Sequence, residues 1–454
     1  MNTPGKLTFN GGVHPPDYKK LSSQCAITSI PVPKQLAIML SQHIGAICKP
    51  VVNKRDHITT GQLIGNAEAF VSAPIYSPVN GTVKDIALQS HPVLGRAEAI
   101  IIESDEDNSP KQPCPDKFSA DFDPRRFLPE QIFDAVRKAG IVGMGGAGFP
   151  TSVKIKANPN SPINTIIING CECEPFITCD YRIMLEWTVQ ILTGVSLIGR
   201  VLNCDNIYIA IEDNKPDAVA AFKQAIQKMP SISGIKVVAV KTKYPQGDER
   251  QLIKSIINKN VPTGGIPPMI NVLVANVATA AAIAEAVVLD NPLTHRVVTI
   301  SGGGIKNPGN FYAPVGTSVS YLIELAGGLN NDAVKIILGG PMMGFAIADL
   351  STPITKTGGA ITILTEKEIG PAKRGQTPCI RCGRCIEVCP MNLNPTKIAH
   401  AAKHNLLETA EEYYMSACID CGCCTYTCPA NIELSGFIKT GKILVARQKK
   451  LMPK

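Results

Sequence analysis

Residues 379 to 390 read CIRCGRCIEVCP, and residues 418 to 429 read CIDCGCCTYTCP. Each carries C-x2-C-x2-C-x3-C followed by proline: Cys379, Cys382, Cys385 and Cys389 before Pro390, then Cys418, Cys421, Cys424 and Cys428 before Pro429. Three thiolates on one tight turn hold three corners of an iron–sulfur cubane, and the fourth, one short helical step later, reaches the neighbouring cluster. The spacing predicts two [4Fe–4S] clusters. One is held by Cys379, Cys382, Cys385 and Cys428, the other by Cys418, Cys421, Cys424 and Cys389. Gly383 and Gly422 let the backbone curl toward the sulfurs. Zinc sites use separated C-x2-C pairs and cannot change oxidation state, so the pattern points to a one-electron wire. Cys423 falls outside the spacing and reads as a spare thiol.

A second group of residues suits a nucleotide or flat ring. In AVRKAGIVGMGGAGFPTSVKIK (135 to 156), Gly143, Gly145 and Gly148 satisfy G-x-G-x-x-G, with Gly146 between them and Lys154 following. Such glycines admit backbone N–H groups to a phosphate, and a lysine neutralises it. A helix precedes this loop where the dinucleotide fold has a strand. Next, NTIIINGCECEPFITCD (164 to 180) reads as a short buried strand ending at Asn169-Gly170. Glu172, Glu174 and Asp180 then stand among Cys171, Cys173 and Cys179. Ligands bind at such carboxyl ends of strands. The acids and thiols show no recognised metal spacing.

These residues need elements to position them. Segments 206–226 and 236–256 each read as strand, loop and helix, predicting a doubly wound α/β layer. VLVANVATAAAIAEAVV (272 to 288) reads as a buried helix. Residues 45–86 hold strand-length apolar runs cut by Gly, Pro and Asn, with Asn80-Gly81 as a hairpin turn. Residues 296–328 read as hairpin then helix, with Gly302 to Gly304 as the turn between strands. The stretch between the cysteine motifs and the tail after the second both read as helical.

The 454-residue chain has 44% hydrophobic and 18% charged residues, 38 Gly and 35 Pro. That composition fits several turn-rich globular domains. A net charge of +8 suits an acidic partner or an anionic membrane face. No basic stripe interleaved with aromatics points to nucleic acid. The N-terminus, MNTPGKLTFNGG, lacks the pattern of a secretory signal, and no apolar run is long enough to span a bilayer. Sixteen cysteines without an export signal fit a reducing compartment. The seven histidines form no metal spacing.

In order and spacing, GMGGAGFPT with Lys154, NGCECEP, YPQGDERQLI and ANVAT (275 to 279) resemble the NADH-oxidising flavoprotein subunit of respiratory complex I. The resemblance places Gly145, Gly146, Gly148 and Lys154 on FMN and its phosphate. It places Asn169, Glu172, Tyr244, Gly247, Asp248, Glu249 and Asn276 around the same pocket, next to Glu174, with NADH delivering hydride there. The sequence departs from that pattern at Met144, where an Arg is expected, and at Ala278, where an acid is expected. Both departures bear on nicotinamide first, and they also leave open a relay subunit whose flavin pocket is degenerate.

With FNGGVHPP (9 to 16) and the twin cysteine tail added, nearly the whole chain is similar to the C subunits of the Rnf-type electron transport complexes. That resemblance implies a multidomain α+β protein. An N-terminal arm and biotinyl/lipoyl-like barrel-sandwich hybrid occupy 1–120, and an α/β FMN/NADH-binding domain 121–265. A β-grasp soluble-ligand-binding module spans 266–365, and a helical di-cluster ferredoxin domain 366–454. No modifiable lysine sits at the barrel's turn, so no biotin or lipoate is expected. The family implies a peripheral protein on the cytoplasmic face of the inner membrane, without a span of its own. It works with other subunits of an ion-translocating complex and moves electrons between NAD(H), FMN, two [4Fe–4S] clusters and ferredoxin. Two alternatives stand beside this: a cobalamin- or proline-reductase-type flavin/iron–sulfur reductase, and a non-catalytic electron relay. The N-terminal barrel favours the Rnf-type assignment.

Overall fold

A computed structural model describes residues 7–232, 234–369 and 375–451. The first six residues of the arm, residue 233, residues 370–374 near the start of the expected ferredoxin domain, and residues 452–454 lie outside it.

Two small sheets face each other in the N-terminal barrel. One orders its strands Gln35–Met39, Gly95–Ser104, Gly81–His91 and His57–Ile58; the other orders Lys49–Pro50, Leu63–Asn66 and Ile75–Tyr76. Alternating apolar residues point inward, so Leu36, Ile38, Ile64, Ile75, Val83, Ile100 and Ile102 close one core. Asn80-Gly81 is not the expected hairpin. It carries the chain from one sheet to the other, and Asn80 Oδ1 accepts from the Thr60 amide at 2.8 Å. The hairpin lies further on, where His91 faces Gly95. Asn-Gly chemistry marks a sharp bend, but pairing decides which strands flank it.

The central layer is a parallel sheet ordered Lys236–Val240, Ile207–Glu212, Thr165–Gly170, Val272–Asn276. The chain moves outward from Thr165–Gly170 over two strands and then returns to its other side. The carboxyl ends of Thr165–Gly170 and Val272–Asn276 therefore flank a topological switch point, where α/β sheets bind ligands. Asn169 and Asn276 are register partners there. The run 272 to 288 is thus not one helix. Val272–Asn276 is a strand, and Val277–Leu289 is a helix. Asn276 makes the break by accepting from the Ala278 amide at 2.8 Å and the Thr279 amide at 3.3 Å, an N-cap inside an apolar run. Helix Thr188–Leu202 lies against Val277–Leu289 so closely that a Cβ at Gly194 would fall 1.8 Å from the Ala280 carbonyl oxygen.

A mixed six-stranded sheet follows, ordered Ile27–Ser29, Gly309–Pro314, His295–Ser301, Ala360–Thr365, Ala333–Leu338, Phe345–Ile347. Helix Val319–Leu325 covers it, giving the expected hairpin-then-helix order. Its edge strand, Ile27–Ser29, comes from the N-terminal arm and pairs in parallel with Gly309–Pro314. In the C-terminal module the stretch between the cysteine motifs forms two helices, Pro395–Lys403 and Leu407–Glu412. They part at Asn405, whose φ is +59°. Helix Leu434–Leu451 packs across them.

Candidate flavin pocket and cluster sites

The glycine loop is a closed hairpin on the carboxyl edge of the parallel sheet. Val142 bridges Pro150, and the Gly143 amide donates to the Phe149 carbonyl at 2.9 Å. The Met144 amide donates to Thr279 Oγ1 at 3.0 Å, which ties the loop to the helix after Asn276. A Cβ at Gly145 would lie 2.8 Å from Asn276 Nδ2, so only glycine passes there without displacing that side chain. At Gly148, with φ of +71°, a Cβ would meet Thr357 at 2.5 Å. Among the described residues, no acceptor takes the amides of Gly145, Gly146 or Ala147, and these residues are exposed. Exposed amides at a strand-end loop, with the half-buried Lys154 one turn later, suit a phosphate. This is the feature of the fold that fits FMN.

Opposite the loop, Asn169 Nδ2 donates to the Gly247 carbonyl at 2.8 Å, and its Oδ1 accepts from the Cys171 amide at 3.1 Å. Lys154 Nζ reaches Glu249 at 3.4 Å. The fold thus brings Gly145, Asn169, Gly247 and Asn276 to the strand ends, with Lys154 and Glu249 paired beside them.

The remaining acids are held by hydrogen bonds within the chain. Asp248 caps helix Glu249–Ile257 through the Arg250 and Gln251 amides at 3.0 and 3.1 Å, and burial lifts its pKa to about 6. Glu172, itself in the left-handed region, accepts from the Asp180 amide at 2.6 Å at the start of helix Cys179–Glu186; burial raises its pKa to about 7. Asp180 accepts from Asn276 Nδ2 at 2.6 Å, and burial also raises its pKa. Ligand atoms of Glu172, Cys179 and Asp180 lie within 4.8 Å of one another. Lys19, 3.9 Å from Glu172, and buried Arg296 face this group, so it is charge-balanced by the chain itself.

Three cations here were not singled out from sequence. Lys19 Nζ donates to the carbonyls of Glu172, Glu174 and Ile177 at 2.8, 3.0 and 2.6 Å. Lys215 Nζ donates to the Cys171 carbonyl at 2.7 Å and to Glu212 at 2.8 Å. Burial opposes its charge, yet Glu212 and Glu172 outweigh burial and raise its pKa. Arg296 donates to the Met144 carbonyl at 3.4 Å, and burial lowers its pKa. Lys215 had a local signal, since it follows a strand end. Lys19 and Arg296 had none, because their partners are more than a hundred residues away.

Glu174 and Tyr244 face the cysteine loops. Glu174 accepts from the Met342 and Met343 amides at 3.1 and 2.9 Å, and burial raises its pKa to about 7. The carbonyl of Met342 in turn sits where a Cβ on Gly422 would fall, 2.8 Å away. The Tyr244 hydroxyl donates to the Cys421 carbonyl at 2.9 Å. Val13, Tyr244, Cys421 and Cys423 form one buried apolar plug, with Cys173 and Met342 against it. Cys173, Cys423 and the loop 339–344, which carries Met342 and Met343, therefore belong to the seam between modules.

The two cysteine motifs share one backbone. Arg381 and Asp420, then Gly383 and Gly422, then Asn392 and Asn431 all take left-handed φ, and four-residue helices follow each glycine. Amides of Arg381, Leu393 and Asp420 point at Cys379, Cys389 and Cys418 sulfurs at 3.4, 3.3 and 3.4 Å. An almost wholly apolar cavity is lined by Cys418, Cys421 and Cys424 together with Cys389 of the other motif. Three cysteines of one motif and one of its twin, around an apolar cavity, fit a [4Fe–4S] cluster. Cys379 and Cys382 of the first motif are exposed.

Four family models match in chain order. They are the RnfC barrel sandwich hybrid domain at 7–107, the Nuo51 FMN-binding domain at 136–285, the SLBB domain at 297–346 and the 4Fe-4S dicluster domain at 378–432. Among solved structures, an NAD+-reducing [NiFe]-hydrogenase in its air-oxidized state shares the fold. Its TM-score is 0.52 at 18% identity, covering 76% of this chain and 66% of the hydrogenase chain. The C subunit of the proton-translocating ferredoxin:NAD(+) oxidoreductase complex of Clostridium ljungdahlii is 42% identical over 90% of this chain and 87% of its own length. The Na(+)-translocating counterpart of Acetobacterium woodii is 36% identical over 89% of both. The C subunit of the ion-translocating oxidoreductase complex of Pseudomonas aeruginosa is 39% identical over 86% of this chain and 49% of its own. At that identity and coverage, the chain belongs to the RnfC family, the C subunits of ion-translocating ferredoxin:NAD(+) oxidoreductase complexes.

Proposed function

We propose that this chain exchanges electrons between NAD(H) and two [4Fe–4S] clusters by way of FMN. It does so as the peripheral subunit of a membrane-bound, ion-translocating complex that also handles ferredoxin. The observation that carries this is the hydrogen bond from Tyr244 to the Cys421 carbonyl. It joins the flavin-domain turn YPQGD to the loop of a cluster ligand.

Bound FMN accepts an electron pair as hydride and releases electrons one at a time. The chain's own residues do the positioning. Exposed amides of Gly145 and Gly146 and the Lys154 ammonium hold the phosphate end. Asn169, Gly247 and Asn276 shape the strand-end floor. Glu172 and Asp180, balanced by Lys19 and Arg296, set the charge beneath it. Cys379, Cys382, Cys385 and Cys428 hold one cluster; Cys418, Cys421, Cys424 and Cys389 hold the other. Among the described residues no helix is long and apolar enough to cross a membrane. Attachment at the cytoplasmic face then comes through partner subunits.

The test is anaerobic. The full chain is loaded with iron, sulfide and FMN, NADH is added, and visible absorbance is followed. Bleaching of the flavin band together with the broad cluster absorbance is expected. Clusters that assemble while flavin fails to bind, or fails to respond to NADH, would make the chain an electron relay instead.

A further inference from the structure

From the segment FNGGVHPP, Val13 adds its side chain to the apolar plug beside Cys421, and no residue of the segment is assigned to the flavin pocket. In the fold it is a strand of chain running through the seam between the flavin domain and the cysteine loops. The Lys241 amide donates to the Leu7 carbonyl at 3.0 Å, and Lys243 Nζ donates to the Phe9 carbonyl at 3.0 Å. Val13 and Tyr244 exchange both backbone hydrogen bonds, at 2.8 and 2.9 Å. Between these contacts the Gly12 amide donates to the Val388 carbonyl at 2.8 Å. The next residue, Cys389, is the ligand that the first motif lends to the second cavity.

Both glycines are required by space and by conformation. Gly11 and Gly12 have φ of +75° and +77°. A Cβ on Gly11 would fall 2.9 Å from the Cys389 carbonyl oxygen, and one on Gly12 2.5 Å from that of Tyr244. Beyond His14 the same arm grips the other flavin-side turn. The Asp17 carbonyl accepts from the Phe176 amide at 2.8 Å, and Tyr18 stacks on the Phe176 ring at 4.6 Å. Lys19 then donates to three carbonyls of residues 172–177.

We propose that residues 9–19 are a positioning strap, holding the Tyr244 turn and the Glu172 turn in fixed register with the Val388–Cys389 ligand loop. The strap thereby sets the rate of flavin-to-cluster transfer. Its hydrogen bonds go to those turns and not to the glycine loop, so it leaves the cradle for the FMN phosphate intact. The rate claim rests on the function proposed above; the positioning claim does not.

Gly11→Val and Gly12→Val test it in the full chain, with Gly234→Val, whose Cβ meets nothing within 4 Å, as control. Stopped-flow mixing with NADH should show flavin bleaching at the control rate and cluster bleaching slowed by about tenfold or more. Iron and sulfide content and full reduction by dithionite should be unchanged. Cluster bleaching that keeps pace with the control would overturn the proposal. Should a valine variant fail to take up iron, Tyr18→Ala removes the stack on Phe176 and loosens the far end of the strap without touching a cysteine loop or the charge at Glu172, and the same slowing is expected. Amide exchange gives a readout that needs no electron flow. The amides of Tyr244 and Gln246, of 386–389 and of 391–392 should exchange about tenfold faster in the variants, with helix Val277–Leu289 unchanged. Unchanged exchange there sinks the strap even if NADH proves not to be the donor.

Discussion

Glu174 sits where two modules meet, its carboxyl taking both Met342 and Met343 amides, and its protonation is set by burial rather than by a charged partner. Burial lifts its pKa from 4.5 to about 7. Between those values the native state keeps a proton that the unfolded chain has released. The Glu174 contribution therefore falls as pH rises from about 4.5, and is lost above about 7, at no more than about 1.4 kcal/mol per pH unit. Glu174→Gln keeps an acceptor for one amide and cannot titrate. Thermal midpoints measured from pH 5 to 8 should show wild type losing ground to the variant with rising pH; parallel curves would rule the titration out. At this scale the sequence revealed chemistry better than geometry. The eight cysteines proposed as ligands were singled out by spacing, because a cubane imposes its own distances on a short loop. Glu174 and Tyr244 were grouped with the flavin residues, yet their side chains turn toward Met342 and Cys421. Local spacing does not say which side of a turn a neighbouring module will cover.

At the scale of elements, the legible parts were those with a clean period or a short-range signal. The strands Thr165–Gly170 and Ile207–Glu212 and the helices after the latter and after Lys236–Val240 followed the pattern. The run 272 to 288 did not, because an apolar strand and an apolar helix look alike and only Asn276 separates them. Asn276→Ala should cost about 1 kcal/mol in stability by loss of the cap, and more where Asp180 loses its donor; urea denaturation measures it. Gly194→Ala should cost more, about 1–3 kcal/mol, because its Cβ would drive into the Ala280 carbonyl and force the two helices apart. The twin cysteine loops give a sharper contrast. Cys389→Ser should remove the cluster seated with Cys418, Cys421 and Cys424, although Cys389 belongs to the other motif. Cys428→Ser should remove the other cluster, and each variant should keep about half the iron. Electron paramagnetic resonance of the two singly loaded chains should then give two different spectra. The same cluster lost in both would mean that the fourth ligands are not exchanged.

For the whole molecule, the order of modules was readable because each carries its own motif, but the way they lock together was not. The contacts that do so are made by residues whose partners lie hundreds of positions away, such as Lys356. It leaves the C-terminal part of the six-stranded layer and is fully enclosed. Its Nζ donates to the Pro74 carbonyl of the barrel at 2.6 Å and the Gly140 carbonyl of the flavin domain at 2.7 Å. A neutral amine has two N–H donors, which matches two acceptors. Burial accordingly depresses the pKa from 10.5 to about 7. Between about 7 and 10.5 the unfolded chain holds a proton that the native chain lacks, so stability from this group rises with pH across that window. Below about pH 7 both states are protonated, and the native state bears the cost of a buried charge. Lys356→Met removes the titration and leaves two buried carbonyls without a donor, at a cost of about 1–3 kcal/mol. The thermal midpoint of wild type minus that of Lys356→Met should therefore widen steadily from pH 7 to pH 9.5. Using the difference cancels every other group that titrates in the range. A gap that stays constant would mean that Lys356 keeps its charge, and that the three modules close around an ammonium.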